Sequence, residues 1–177
     1  MRKFLLGVLT AYLLLGAIAV VGIQRGWVQA AADRKPGKLE EWAAMHALHR
    51  AIRRDSGGLQ SPLPVSDATL LEGARVYEAS CLVCHGAADG KPSAIARGLN
   101  VSPPQLATDG VEDDPEGETY WKVKHGIRFT AMPAYGGALT EEDLWAVALF
   151  VSRLDKLPAA AEAAWKAMPS AAEKPRP

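Results

Sequence analysis

Cys81-Leu82-Val83-Cys84-His85 is the stretch from which the rest of this chain is read. Its two cysteines are the only ones in 177 residues, so no framework of several disulfides can form. Thiols three residues apart on one helical turn can each add to a haem vinyl group. The next residue then presents an imidazole to the iron. The C-x-x-C-H spacing therefore reads as the attachment site of one covalent haem c, with Cys81 and Cys84 as the linked residues and His85 as an axial iron ligand. A structural zinc needs four ligands, but no other cysteine exists and His125 is the only histidine further on. A thioredoxin-like dithiol calls for a βαβ setting, and no strand pattern flanks the motif.

The sequence on either side reads as helices. Upstream, Ser66 is placed to cap a helix with Asp67 in its first turn, running to about Ala79 and leading into Cys81. Residues 86–110 are rich in Gly, Pro, Ser and Asp and read mostly as loop. An acidic stretch follows, from Asp109 through Glu112 to Glu118, and reads as a solvated loop and helix start. Within it Asp114 suits an N-cap with Pro115 at the first helical position, and that helix stops at Gly126. Thr140-Glu141-Glu142-Asp143 resembles a capping box, and Leu144, Val147, Ala148, Val151 and Leu154 then share one helical face. From Pro158 the chain is Ala-rich, with room for a short helix before a Pro-rich end.

A second axial ligand must come from elsewhere. Met132, in the loop before the last strong helix, is the preferred candidate, because a thioether opposite histidine is a known haem arrangement. His125 is its chief rival. Met168 lies near the tail and Met45 precedes the domain.

The N-terminus has a different character. Arg2 and Lys3 precede an uncharged apolar run from Phe4 to Ile23. About twenty helical residues at ~1.5 Å each span the ~30 Å bilayer core. A signal peptide cleaved near Ala30-Ala31-Ala32 is the alternative, although its apolar region is ordinarily shorter. Positive charge on both sides leaves the orientation open. Residues 38–54 then read as an amphipathic helix carrying Trp42, His46 and His49, with Arg50, Arg53 and Arg54 suited to anionic headgroups. The two histidines have no assigned role. Formal charge is balanced, with 20 basic and 20 acidic residues, which argues against nucleic-acid binding.

From Asp67 to about Leu157 the chain resembles the class I c-type cytochromes, in particular small bacterial mono-haem ones fused to an N-terminal anchor. The resemblance rests on Gly73, Tyr77, Cys81 to Gly86, Pro103-Pro104-Gln105-Leu106, His125 to Arg128, Met132-Pro133-Ala134-Tyr135, and Leu144 to Phe150. It implies that the helix bearing Gly73 and Tyr77 crosses the last helix closely, near Val147 and Phe150. It implies that the Pro104 carbonyl accepts the His85 ring N–H. It also implies that haem is joined outside the cytoplasmic membrane.

The expected architecture is all-α: a class I cytochrome c-like haem domain behind one transmembrane helix. Residues 1–24 form the anchor or signal, 25–65 a linker with a juxtamembrane helix, 66–157 the cytochrome domain and 158–177 a tail. The expected function is single-electron transfer between redox protein partners of a respiratory or dehydrogenase system, at the inner membrane with the haem domain facing the periplasm or cell exterior. With His85 and Met132 both on the iron there is no substrate site, so an electron carrier rather than an enzyme is expected. The alternative is a haem subunit of a larger membrane dehydrogenase or oxidase.

Overall fold

The computed structural model describes residues 1–28, 30–110 and 113–173. All regular structure among them is helical, and they divide into two compact units, Met1–Arg34 and the chain from Lys35 onward. Glu112 of the acidic stretch and the last four residues of the Pro-rich end fall outside the described residues.

The first unit is one helix, α1 (Arg2–Gln24), long and apolar enough to cross a membrane. Gly26, at φ +70°, ends it. Its N–H donates to the Ile23 carbonyl at 3.1 Å and that of Trp27 to the Gly22 carbonyl at 2.9 Å. This is the Schellman arrangement, which satisfies carbonyls that a helix end leaves bare. Gly22 makes room for the Trp27 indole, which lies 3.0 Å from where a Cβ would stand.

In the second unit the central feature is the crossing of α3 (Asp67–Ser80) and α7 (Glu141–Val151). Both caps form as the sequence predicts. Ser66 Oγ accepts from the Thr69 N–H and Thr140 Oγ1 from that of Asp143. From Leu144 onward every residue of α7 is buried, and Leu70, Ala74 and Tyr77 of α3 pack on it. A Cβ on Gly73 would stand 2.2 Å from the Ala146 carbonyl oxygen and 2.7 Å from Phe150 Cβ, so only glycine permits this approach.

The segment after Pro158, expected as a tail, packs instead. Helix α8 (Ala159–Ala167) lies on α3, with Ala161, Trp165 and Met168 buried. Trp165 meets Tyr77 edge-on at 5.3 Å and Phe150 at 5.9 Å, closing a triangle of rings. Edge-to-face contacts of this kind add to the area they bury.

Helix α6 (Glu116–His125) begins one residue later than expected, with Pro115 as its cap. Asp114 caps nothing because the Lys122 ammonium takes its carboxylate at 2.5 Å, a stronger charge-assisted bond. Glu116 accepts from the Ser61 N–H and pairs with Arg153, so it fastens the chain before Ser66 onto the domain. Gly117 lets that chain lie close, since a Cβ there would stand 2.4 Å from the Leu59 carbonyl oxygen. Helix α2 (Lys38–Ser56) packs on α6 through Ile52 and Ser56, while Leu39 and Trp42 are exposed. Tyr120 of α6 stacks on Trp145 of α7 at 3.9 Å.

The α7 cap carries a stability prediction. Thr140 and Asp143 bond reciprocally, and the Thr140 hydroxyl is the largest cause holding the Asp143 carboxyl below its usual range. Thr140→Ala should cost about 1 kcal/mol in denaturant unfolding at pH 7. A folded-state pKa below the unfolded one gives stability that is present above the unfolded value and lost as pH falls through the folded one. The gap between wild type and variant should therefore narrow below about pH 4. A gap that widens on acidification would contradict this account.

Candidate haem site

The motif occupies a single turn at the end of α3. The Cys81 N–H donates to the Tyr77 carbonyl at 2.8 Å. The Cys81 carbonyl in turn accepts from the N–H groups of Cys84 and His85, both at 3.0 Å, closing α4 (Leu82–His85). Gly86, at φ +77°, ends the turn. The buried Tyr77 hydroxyl donates to the Gly86 carbonyl at 2.7 Å, so α3 holds both ends of the motif.

Both cysteines are half-buried free thiols. Burial, and secondarily the neighbouring Cys84, push the Cys81 thiol up to about 12. Among the described residues no three of His, Cys, Asp and Glu cluster to hold a metal ion.

His85 Nδ1 lies 2.9 Å from the Pro104 carbonyl oxygen, the pairing the resemblance implies. A carbonyl only accepts, so Nδ1 carries the proton and Nε2 keeps its lone pair. Burial disfavours the imidazolium and lowers the His85 pKa, against the smaller opposing pull of Pro104. The ring is thus set as a neutral Nε2 donor, the form that binds iron. The Leu106 N–H donates to the His85 carbonyl at 3.1 Å, laying residues 104–106 against α4.

Met132 is half-buried at the edge of the core, in a loop laid along the last turn of α6. Its carbonyl accepts from the Ile127 N–H at 3.2 Å, and its own N–H donates to Thr130 Oγ1 at 3.1 Å. Tyr135 and Gly136 donate through their N–H groups to the Val123 and Lys124 carbonyls, both at 3.0 Å. Gly126, at φ +66°, underlies this loop, and a Cβ there would stand within 2.8 Å of the backbone from Met132 to Ala134. The Tyr135 hydroxyl donates to the Ser80 carbonyl at 2.8 Å. That bond ties the Met132 loop to the residue before Cys81. In the sequence Tyr135 was visible only as part of a family pattern, and this role was not assigned to it.

The rival ligands are placed otherwise. His125 is exposed, its ring tilted against Trp121 at 5.0 Å. Met168 is buried beside Trp165 in the α8 packing. Met45 lies on α2, where His46 stacks on Trp42 at 5.6 Å. The donor set of two thiols on one turn, a neutral imidazole, and a thioether on a loop tied to that turn through Tyr135 fits a covalent haem.

A family model described as cytochrome c oxidase, cbb3-type, subunit III matches residues 68–151. The match is to a c-type cytochrome domain, consistent with the class I resemblance. The match takes in both crossing helices, the attachment motif and the Met132 loop of the cytochrome domain, and stops before α8. No curated protein and no solved structure matches the chain. A c-type cytochrome domain implies covalently bound haem and electron transfer.

Proposed function

We propose that this chain is a membrane-anchored mono-haem electron carrier with a six-coordinate iron. The observation that carries the reading is the single turn presenting Cys81, Cys84 and a neutral His85 within the cytochrome domain. Bound haem c supplies a one-electron couple, and the protein sets its potential and access. In this reading Cys81 and Cys84 hold the group covalently, and His85 and Met132 take the axial positions. Helix α1 anchors the chain in the inner membrane, with the cytochrome domain on the periplasmic or outer side. Its partners are redox proteins of a respiratory or dehydrogenase system, and no small-molecule substrate is used. A second reading, a haem subunit of a larger membrane oxidase or dehydrogenase, is favoured by the description of the matching family. Stable co-purification with a larger subunit separates the two.

The test centres on Met132. The oxidised wild type should show a sulfur-to-iron charge-transfer band, with the haem stain in the membrane fraction. Met132→Ala should lose the band and open the iron to carbon monoxide. Met132→His should stay six-coordinate at a lower potential, because thioether ligation raises it. A band that survives in Met132→Ala would move the ligand to Met168, and its absence from the wild type would move it to His125; either result sinks this assignment.

A further inference from the structure

Pro103 and Pro104 have no backbone N–H, so the segment that meets the His85 ring cannot fasten itself through main-chain donors of its own. The first N–H after them, that of Gln105, is turned away to Asp109 Oδ2 at 2.7 Å. The Gln105 side chain supplies the missing donors. Its Nε2 donates to the Cys84 carbonyl at 3.1 Å and to the Pro103 carbonyl at 3.2 Å. In a one-turn helix the last carbonyls have no partner within the helix. Gln105 and Leu106 take those of Cys84 and His85.

The other end of the same amide has no partner. Gln105 Oε1 is the one buried side-chain oxygen or nitrogen without a hydrogen bond among the described residues. It lies 2.5 Å from where a Cβ on Gly86 would stand, in a space only glycine leaves. A buried acceptor without a donor is unfavourable, and such a group calls for a reason. Turning the amide over would set Oε1 against two carbonyl oxygens and lose both bonds. The orphan oxygen is therefore the consequence of aiming the NH2 group at Cys84 and Pro103.

We propose that Gln105 is a positioning residue for the proximal histidine: its amide clamps Pro103 to Cys84 so that the Pro104 carbonyl stays on the His85 Nδ1–H. The inference rests on His85 being the iron ligand. A well-held Nδ1–H···O bond makes the imidazole more basic and favours the oxidised iron. Loosening the clamp then raises the reduction potential.

The experiment uses the full-length holoprotein. Gln105→Met keeps the length of the side chain and removes its donors. Thr108→Ala perturbs the same turn, where Thr108 Oγ1 reaches the Gln105 carbonyl at 3.3 Å, without touching the amide. At an ambient potential equal to the wild-type midpoint, Gln105→Met should show a severalfold higher ratio of reduced to oxidised haem, and Thr108→Ala an unchanged one. In the reduced protein the His85 Nδ1 resonance should shift toward a weaker hydrogen bond in Gln105→Met alone. An unchanged potential and resonance in a haem-loaded Gln105→Met overturns the proposal, as does an equal shift in Thr108→Ala. Should Gln105→Met not accumulate, proton exchange in the wild type decides. Slow exchange of both Gln105 side-chain N–H protons supports the clamp, and exchange at the rate of a free amide overturns it. Absence of covalent haem from the wild type would instead defeat the reading of His85 as a ligand, so the two failures are distinct.

Discussion

Replacing Cys81 and Cys84 together by alanine is expected to abolish covalently bound haem, with no stain surviving denaturing electrophoresis. The two side chains leave the same turn, and no other thiol exists to replace them. Either single variant should retain a weaker stain, since one thioether can still form, and a lower yield of holoprotein. The loss extends beyond the bonds. Leu82 and Cys81 border the core, and the Met132 loop leans on the same turn through Tyr135. A group that binds only the folded chain stabilises it, and the double variant forfeits that term. Far-ultraviolet circular dichroism should show helix retained, because α3 and α7 are capped and packed by residues independent of the thiols. Covalent haem undiminished in the double variant would remove the basis of the functional reading.

Gly73→Val should be the most destructive single change outside the site. Its Cβ would stand 2.2 Å from a backbone oxygen, and a backbone cannot step aside as the end of a side chain can. The two helices must separate, opening the cluster of Tyr77, Phe150 and Trp165. A loss of at least about 3 kcal/mol is expected, at the upper end for overpacked cores. Gly73→Ala should also destabilise, although alanine is about 1 kcal/mol the better helix former. Gly98→Ala is the control, since its added Cβ would meet nothing nearer than 3.5 Å. Thermal unfolding of the three variants checks the order. A melting point for Gly73→Val equal to that for Gly98→Ala would mean that the helices do not cross at Gly73.

The parts of this fold that the sequence revealed were those specified locally. The caps at Ser66 and Thr140 are short-range chemistry, and the apolar stripe of α7 announces a buried helix. The C-x-x-C-H motif is legible because its geometry fits within one turn. Less was visible where a residue's role depends on a distant partner. Ala161, Trp165 and Met168 follow helical spacing, yet only the groove beside Tyr77 turns that stripe into core. Asp114 has the local pattern of a cap, but its carboxylate is taken by Lys122, eight residues on. Gly117 gave no sign that the chain before Ser66 would fold back over it. Gln105 was seen only as part of a family pattern, since its function lies in two carbonyls, one of them on another segment.

The Gly73 crossing also fixes an order of events in time. Helix α3 precedes the motif, but its partner α7 follows it by a long interval of chain. The contact that completes the domain is thus among its least local, and long-range contacts form late. A chain made from its N-terminus offers Cys81 to His85 before residues 141–151 exist to close over α3. At ~5–20 residues per second, the roughly 65 residues in between take about 3–13 s to appear. During that interval α3 has no partner at Gly73, so the crossing cannot yet form.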